Sequence, residues 1–181
     1  MARFPLIQES EVSDPVAVAV YSEIRQELGF GIVPNLFKSM AINPPLLKVQ
    51  WELFRATILQ GRLPRTLKEM LGVLISQTHN STYARDVHLH GLSALGMSGE
   101  VLQMLVIDYK RCPLPERDKD VLQFGLLVAT DPLTITDQHY AMLRGHRLND
   151  VEIFEIIATA QLFVSVNAYT DSIALELDQL S

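Results

Sequence analysis

Residues Glu69 to Gly96 read EMLGVLISQTHNSTYARDVHLHGLSALG. Apolar residues in this stretch return every three or four positions, and nowhere alternate over the length of a strand, so it reads as two helices. Ser81 opens the second and Gly96 closes it. On that second helix Ser81, Ala84 or Arg85, His88 and Leu92 share one face, while Asp86 and His90 share another. The two helices thus carry an acid, three histidines, a tyrosine and a serine. Ser81, at a helix start, lies in the positive end of the macrodipole, a place that favours an anion or a nucleophile. His88 lies two turns further on and points the same way.

Working outward, the same spacing holds almost throughout and predicts an all-α chain. A first helix is expected from about Asp14, with Pro15 in its first turn, to Leu28, where Gly29 and Gly31 stop it. A short helix starts at Asn35. Asn43 caps a longer one that buries Leu46, Leu47, Trp51, Phe54 and Ile58 and ends at Gly61. Helices follow over about 65–78, 81–95 and 98–108, then, after the loop Arg111 to Pro115, over 116–129 and 136–145. The last runs from Asn149 close to the C-terminus, and its stretch from Ile153 to Val166 is apolar nearly all round, as in a central helix or a subunit contact. Sliding residues 68–105 forward by 51 places Lys68-Glu69 on Lys119-Asp120, His88 on His139 and Ser98 on Asn149. That echo would mean a duplicated helical unit, with Asp120 and His139 a second copy of Glu69 and His88.

The chain has 181 residues, 48% hydrophobic and 20% charged, the balance of one ordinary globular domain. Residues 1–13 are taken as an N-terminal extension and 14–181 as the domain. The single cysteine, Cys112, excludes an intramolecular disulfide, a multi-cysteine zinc site, a CxxC redox pair and an iron–sulfur cluster. A net charge of −6 with no run of Lys and Arg argues against nucleic acid as a partner. The start shows no targeting pattern, and the most apolar windows, Leu71 to Ile75 and Ile156 to Val166, are short of a membrane span. A cytoplasmic protein without membrane contact is expected. His88 and His90 are two apart and diverge on a helix, a poor metal pair, so neither metal nor cofactor is expected.

The order Glu69, eleven residues, Ser81, two residues, Ala84, three residues, His88 resembles the Glu-x11-Cys-x2-Cys-x3-His signature of the carboxymuconolactone decarboxylase and alkylhydroperoxidase D (AhpD)-like superfamily. Pro34-Asn35-Leu36-Phe37, Asn43-Pro44, Gly61-Arg62-Leu63, Leu67-Lys68-Glu69, Asn80, Tyr83 and Gly96-Met97-Ser98 look like its peroxidase-related branch over roughly residues 30–178. The resemblance implies an all-helical homo-oligomer in which Glu and His form a proton relay beside a cysteine pair. It also implies a small-molecule substrate.

Both cysteine positions of that signature are substituted here, by Ser81 and Ala84. A serine hydroxyl cannot cycle through sulfenic acid and disulfide, so dithiol hydroperoxide reduction is excluded for this chain. Cys112, about thirty residues away in a Pro-flanked loop, does not match the motif and reads as a structural thiol. Three functions follow from the match and the departure. One is acid–base chemistry by Glu69 and His88 on a small organic acid or lactone-like molecule, with Tyr83 donating a hydrogen bond into the pocket and Ser81 as a further catalytic candidate. Another is a catalytically silent scaffold or small-molecule binder, and the third is a dithiol peroxidase whose cysteines have been replaced. Without the motif, Glu69 would read as an exposed helix acid and His88 as a core histidine. His79 and His90 read as exposed, with His90 paired to Asp86, and Asn80 as a cap or turn residue.

Overall fold

The computed structural model describes residues 2–179, which hold nine α-helices and no strand. Several of the helices begin where a local side chain or proline can start one. The Asp14 carboxylate accepts from Val16 N–H and Ala17 N–H, and Pro15 supplies the first φ of α1 (Pro15–Glu27). After the short α2 (Asn35–Met40), the Asn43 side chain accepts from Leu46 N–H to open α3 (Pro44–Phe54). The helices α4 (Arg65–Thr78) and α5 (Thr82–Ala94) come next. Ser98 caps α6 (Gly99–Asp108) by accepting from Val101 N–H. Then come α7 (Glu116–Thr130), α8 (Asp137–Gly145) and α9 (Asp150–Ser172), the last opened by reciprocal bonds between Asn149 and Glu152.

The expected third helix is not one uniform helix. After Phe54 the backbone widens into a π-turn over Arg55–Leu59. A π-turn leaves carbonyls without their usual partners, and Lys68 of α4 supplies one, its Nζ donating to Thr57 O at 2.7 Å. Lys68 is itself buried and ion-paired to Glu155 of α9, whose carboxylate also accepts from Arg62 N–H at 2.7 Å and Leu63 N–H at 3.2 Å. Nothing in the sequence marked Lys68 as more than a helix boundary. The expected buried stripe of α3 is also corrected: Leu47, Trp51 and Ile58 are buried and Phe54 is half-buried, but Leu46 faces outward with Val49 and Leu53. Trp51 turns the helix by donating to Glu23 of α1 at 2.8 Å, which sets Leu46 on the far side.

The centre of the molecule is α9, packed against α4, α5 and α7. It is a 23-residue helix, long and apolar enough by composition to cross a membrane, which the shorter windows read from sequence did not suggest. Here it is the core helix: Ile153, Ile156, Ala160, Leu162, Phe163 and Val166 are all buried. Its tail, 173–179, turns back along the body, where Asn35 Nδ2 donates to the carbonyls of Glu176 and Leu177. The N-terminal segment is tied down as well, with Arg3 N–H donating to Ile173 O and Tyr21 Oη to Ile7 O. Met1, Leu180 and Ser181, the outermost residues of the expected extension and domain, lie outside the described residues.

The 51-residue offset recurs in the helices: α4 and α7 start at Arg65 and Glu116, and α6 and α9 at Gly99 and Asp150. The second acid–histidine pair does not follow it. Asp120 pairs with His146 at 2.7 Å, while His139 bonds Thr136 in the cap of α8.

Candidate active site

The helices α4 and α5 form a hairpin across the turn His79–Ser81, in which Asn80 takes the left-handed conformation (φ 56°) that asparagine tolerates better than most residues. The hairpin brings Glu69 against His88. Glu69 Oε2 lies 2.7 Å from His88 Nδ1, and both side chains are buried. The other carboxylate oxygen accepts from Arg65 Nε at 3.1 Å, one turn earlier on α4, and Arg65 Nη1 donates in turn to Leu28 O at 3.1 Å. Burial pushes the Glu69 carboxyl up, but the hydrogen bond and charge of His88 and the guanidinium of Arg65 outweigh it, so its pKa falls below the ordinary glutamate value. An ionised Glu69 requires Nδ1 of His88 to carry the proton and donate it.

The imidazole plane is fixed by its neighbours. A Cβ on Gly72 would stand 2.7 Å from three ring atoms of His88, so only glycine lets the ring lie against the backbone of α4. Phe163 of α9 also meets the ring edge to face, with centroids 4.4 Å apart at 68°, at the close end of such contacts. His88 Nε2 has no hydrogen-bond partner among the described residues. His88 lines a cavity of about 30 Å³, whose other walls include Phe30, Phe37, Phe54, Ala84, Val87 and Val166. No Lys or Arg lines it.

The four residues singled out from sequence are not one constellation. Glu69 and His88 meet. Ser81 is buried but directed elsewhere, its Oγ donating to Asp171 at 2.9 Å, and it is not part of the cavity wall. It occupies the N-cap of α5 without capping it, because Asp171 of α9 takes its hydroxyl. Tyr83 lines the cavity, but its hydroxyl is spent outside it, donating to Asp178 at 2.7 Å and accepting from Leu36 N–H at 3.0 Å. Burial, followed by the Asp178 charge, pushes the Tyr83 phenol well above its ordinary value, so it stays protonated. The expected Tyr83 donor into the pocket is therefore corrected: the C-terminal tail claims it.

Other expectations change too. Both His79 and His90 are half-buried rather than exposed. His90 meets Phe30 edge-on, with centroids 5.1 Å apart, and Asp86 pairs with Arg85 instead. Cys112 is buried, and burial pushes its thiol up, away from the thiolate a nucleophile needs. No group of three or more His, Cys, Asp and Glu converges among the described residues. Arg65 was missed from sequence although its four-residue spacing to Glu69 was visible. Phe163 carried no signal, since apolar residues surround it on α9.

Among solved structures, the chain matches an uncharacterized peroxidase-related protein from Silicibacter sp. TM1040 with a TM-score of 0.85 and 22% identity, over 98% of this chain and 92% of that one. It matches the alkylhydroperoxidase AhpD core of a second peroxidase-related protein, from Ralstonia eutropha JMP134, with a TM-score of 0.86 and 22% identity, over 98% and 93%. The chain has the AhpD-like fold. A cysteine-to-alanine form of the debrominase Bmp8, in complex with 2,3,4-tribromopyrrole, shares the AhpD-like fold at a TM-score of 0.80 and 16% identity, over 99% and 95%. No protein-family profile and no curated protein matches the sequence. Of the two positions that resemble the cysteine pair of AhpD-like proteins, only Ala84 faces the cavity.

Proposed function

We propose that this chain is a thiol-independent proton-transfer enzyme acting on a small, uncharged carbonyl or lactone-like molecule. The observation that carries the reading is the buried Glu69–His88 pair, in which His88 lines an apolar cavity and its Nε2 has no hydrogen-bond partner among the described residues. In this reading Nε2 of His88 removes a proton from carbon beside a carbonyl. Glu69 stabilises the imidazolium that forms, and the proton returns to the product at a second atom. A positioned acid–base group of this kind accelerates a reaction by roughly 10²- to 10⁴-fold.

The cavity chemistry narrows the substrate. An organic acid anion would meet an ionised Glu69 and no lysine or arginine on the lining, so an uncharged lactone or ketone fits better than a free acid. The 2,3,4-tribromopyrrole bound to Bmp8 is likewise small and uncharged. At about 30 Å³ the cavity holds about one water, so the structure is a narrow form that widens to admit a ligand.

The test is deuterium wash-in from D2O, followed by proton NMR, over a panel of small lactones and ketones. Wild type is expected to exchange at least one panel member and His88→Gln none. If both leave the whole panel unexchanged while the apolar members still bind, the chain is a binder without catalysis. A second reading, a peroxidase site stripped of its thiols, draws on Ala84 standing in the cavity wall with His88. It predicts peroxide turnover only after cysteines are restored at positions 81 and 84.

A further inference from the structure

The narrow cavity needs a wider entrance than it shows, and one short segment has the features of one. Between α1 and α2, Phe30 is bracketed by Gly29 (φ 88°) and Gly31 (φ 71°), both in the left-handed region. A Cβ on either glycine would meet nothing within 4 Å, so packing does not demand glycine there; the backbone conformation does. Phe30 lines the inner cavity. Its ring is half-buried against the core, and the ring contact it makes is edge-on with His90 of α5. His90 in turn lines an outer groove of about 290 Å³, together with Asp86, Val87, Leu89, Leu177 and Asp178. Val87 borders both spaces. Val87 thus stands between a surface groove and the cavity lined by His88, and Phe30 lies beside it, inside the cavity and against the groove residue His90. Val87 is fixed on a helix, whereas Phe30 sits between two glycine joints of the kind that hinged loops use.

The other cavity walls offer no comparable door. Phe37 and Phe54 pack on each other at 5.8 Å, and Phe37 also packs on Trp51. Phe163 is buried on the central helix. Tyr83 is tied at its hydroxyl to the tail.

We infer that Phe30 is the gate of the cavity: it swings on Gly29 and Gly31, rests shut against His90, and sets the size of molecule that reaches His88 from the outer groove. This rests on the cavity being the ligand site, and not on what chemistry happens there. The test therefore reads access alone. In an Ala84→Cys/Cys112→Ala reporter the only thiol lines the cavity, and its modification by methyl methanethiosulfonate, a small reagent, and by the larger N-ethylmaleimide is timed.

Adding Phe30→Ala is expected to speed both reactions by about tenfold or more, and the larger reagent more than the smaller. His90→Ala, which removes only the edge contact, is expected to give about two- to tenfold, the range such an aromatic pair supports. Cys112 in the otherwise native chain is the reference: Phe30→Ala must leave its modification rate unchanged, or the variant has loosened the whole fold. In that event His90→Ala, judged against the same reference, decides. Unchanged access at position 84 in both variants, or faster access on freeing the tail with Asp178→Ala instead, would overturn the gate. Because no turnover is measured, the result is independent of whether the proton-transfer reading survives.

Discussion

Gly72→Ala sets two physical effects against each other, and the structure says which wins. In the interior of α4, alanine should stabilise by about 0.5–1 kcal/mol through helix propensity. Its Cβ, however, would stand 2.7 Å from Cγ, Cδ2 and Cε1 of His88, when carbon atoms rest at about 3.5–4.0 Å. The ring must retreat by about 1 Å, which disturbs its packing with Phe163. Overpacking of this kind costs about 1–3 kcal/mol, so the net expectation is a destabilisation of up to about 2 kcal/mol, or several degrees in Tm for a chain of this size. The same displacement, along the ring normal, would lengthen the 2.7 Å Nδ1 bond to Glu69 only to about 2.9 Å but would tilt it out of the ring plane and weaken it. Urea unfolding measures the first effect, and the downfield NMR signal of the His88 Nδ1 proton reports the second. A variant as stable as wild type or more so, with that proton unshifted, would refute the seating of the imidazole on the backbone of α4.

Glu69→Gln should cost about 1.5–3 kcal/mol, since it replaces a charge-assisted bond in a buried site. Because the folded Glu69 pKa lies below its ordinary 4.5, its contribution is present above pH 4.5 and is lost as pH falls through the folded value; the acid limb of a stability–pH curve should flatten in the variant. Asp178 runs the other way. Burial lifts its pKa above 3.8, against the hydrogen bonds from Tyr83 and Asn35 N–H, so its contribution falls as pH rises from 3.8 through the folded value. Wild type should therefore lose ground to Asp178→Asn over that window, and a pH-independent difference between the two would contradict it. Lys68→Met should cost about 3–5 kcal/mol by stranding Glu155, and adding Glu155→Leu should recover much of that. A denaturation cycle in which the two changes simply add would deny the coupling.

What was legible in the sequence was local. Asp14, Asn43, Ser98 and Asn149 announce helix starts because each one's own side chain accepts from a backbone N–H two or three residues on. Periodicity then gives the all-α class. The π-turn at Arg55–Leu59 was not legible, since its freed carbonyl is satisfied by Lys68 from the next helix. For the site, the Glu69–His88 pairing came from a motif match, and helical spacing within α5 placed Ser81 on the same face as His88. Where Ser81 and Tyr83 send their hydroxyls was decided by Asp171 and Asp178, about ninety residues on, and no pattern near residue 81 contains that information. The same reason explains Asp120, whose partner is His146 and not the motif-aligned His139.

The central claim is that Glu69 and His88 form a working proton relay facing the cavity. Deuterium wash-in from D2O over the panel of small lactones and ketones tests it most directly, in the native chain, in His88→Gln and in Glu69→Gln. The relay predicts exchange in the first, none in the second, and its loss by about a hundredfold or more in the third. Folded variants that exchange the panel as fast as the native chain would contradict it.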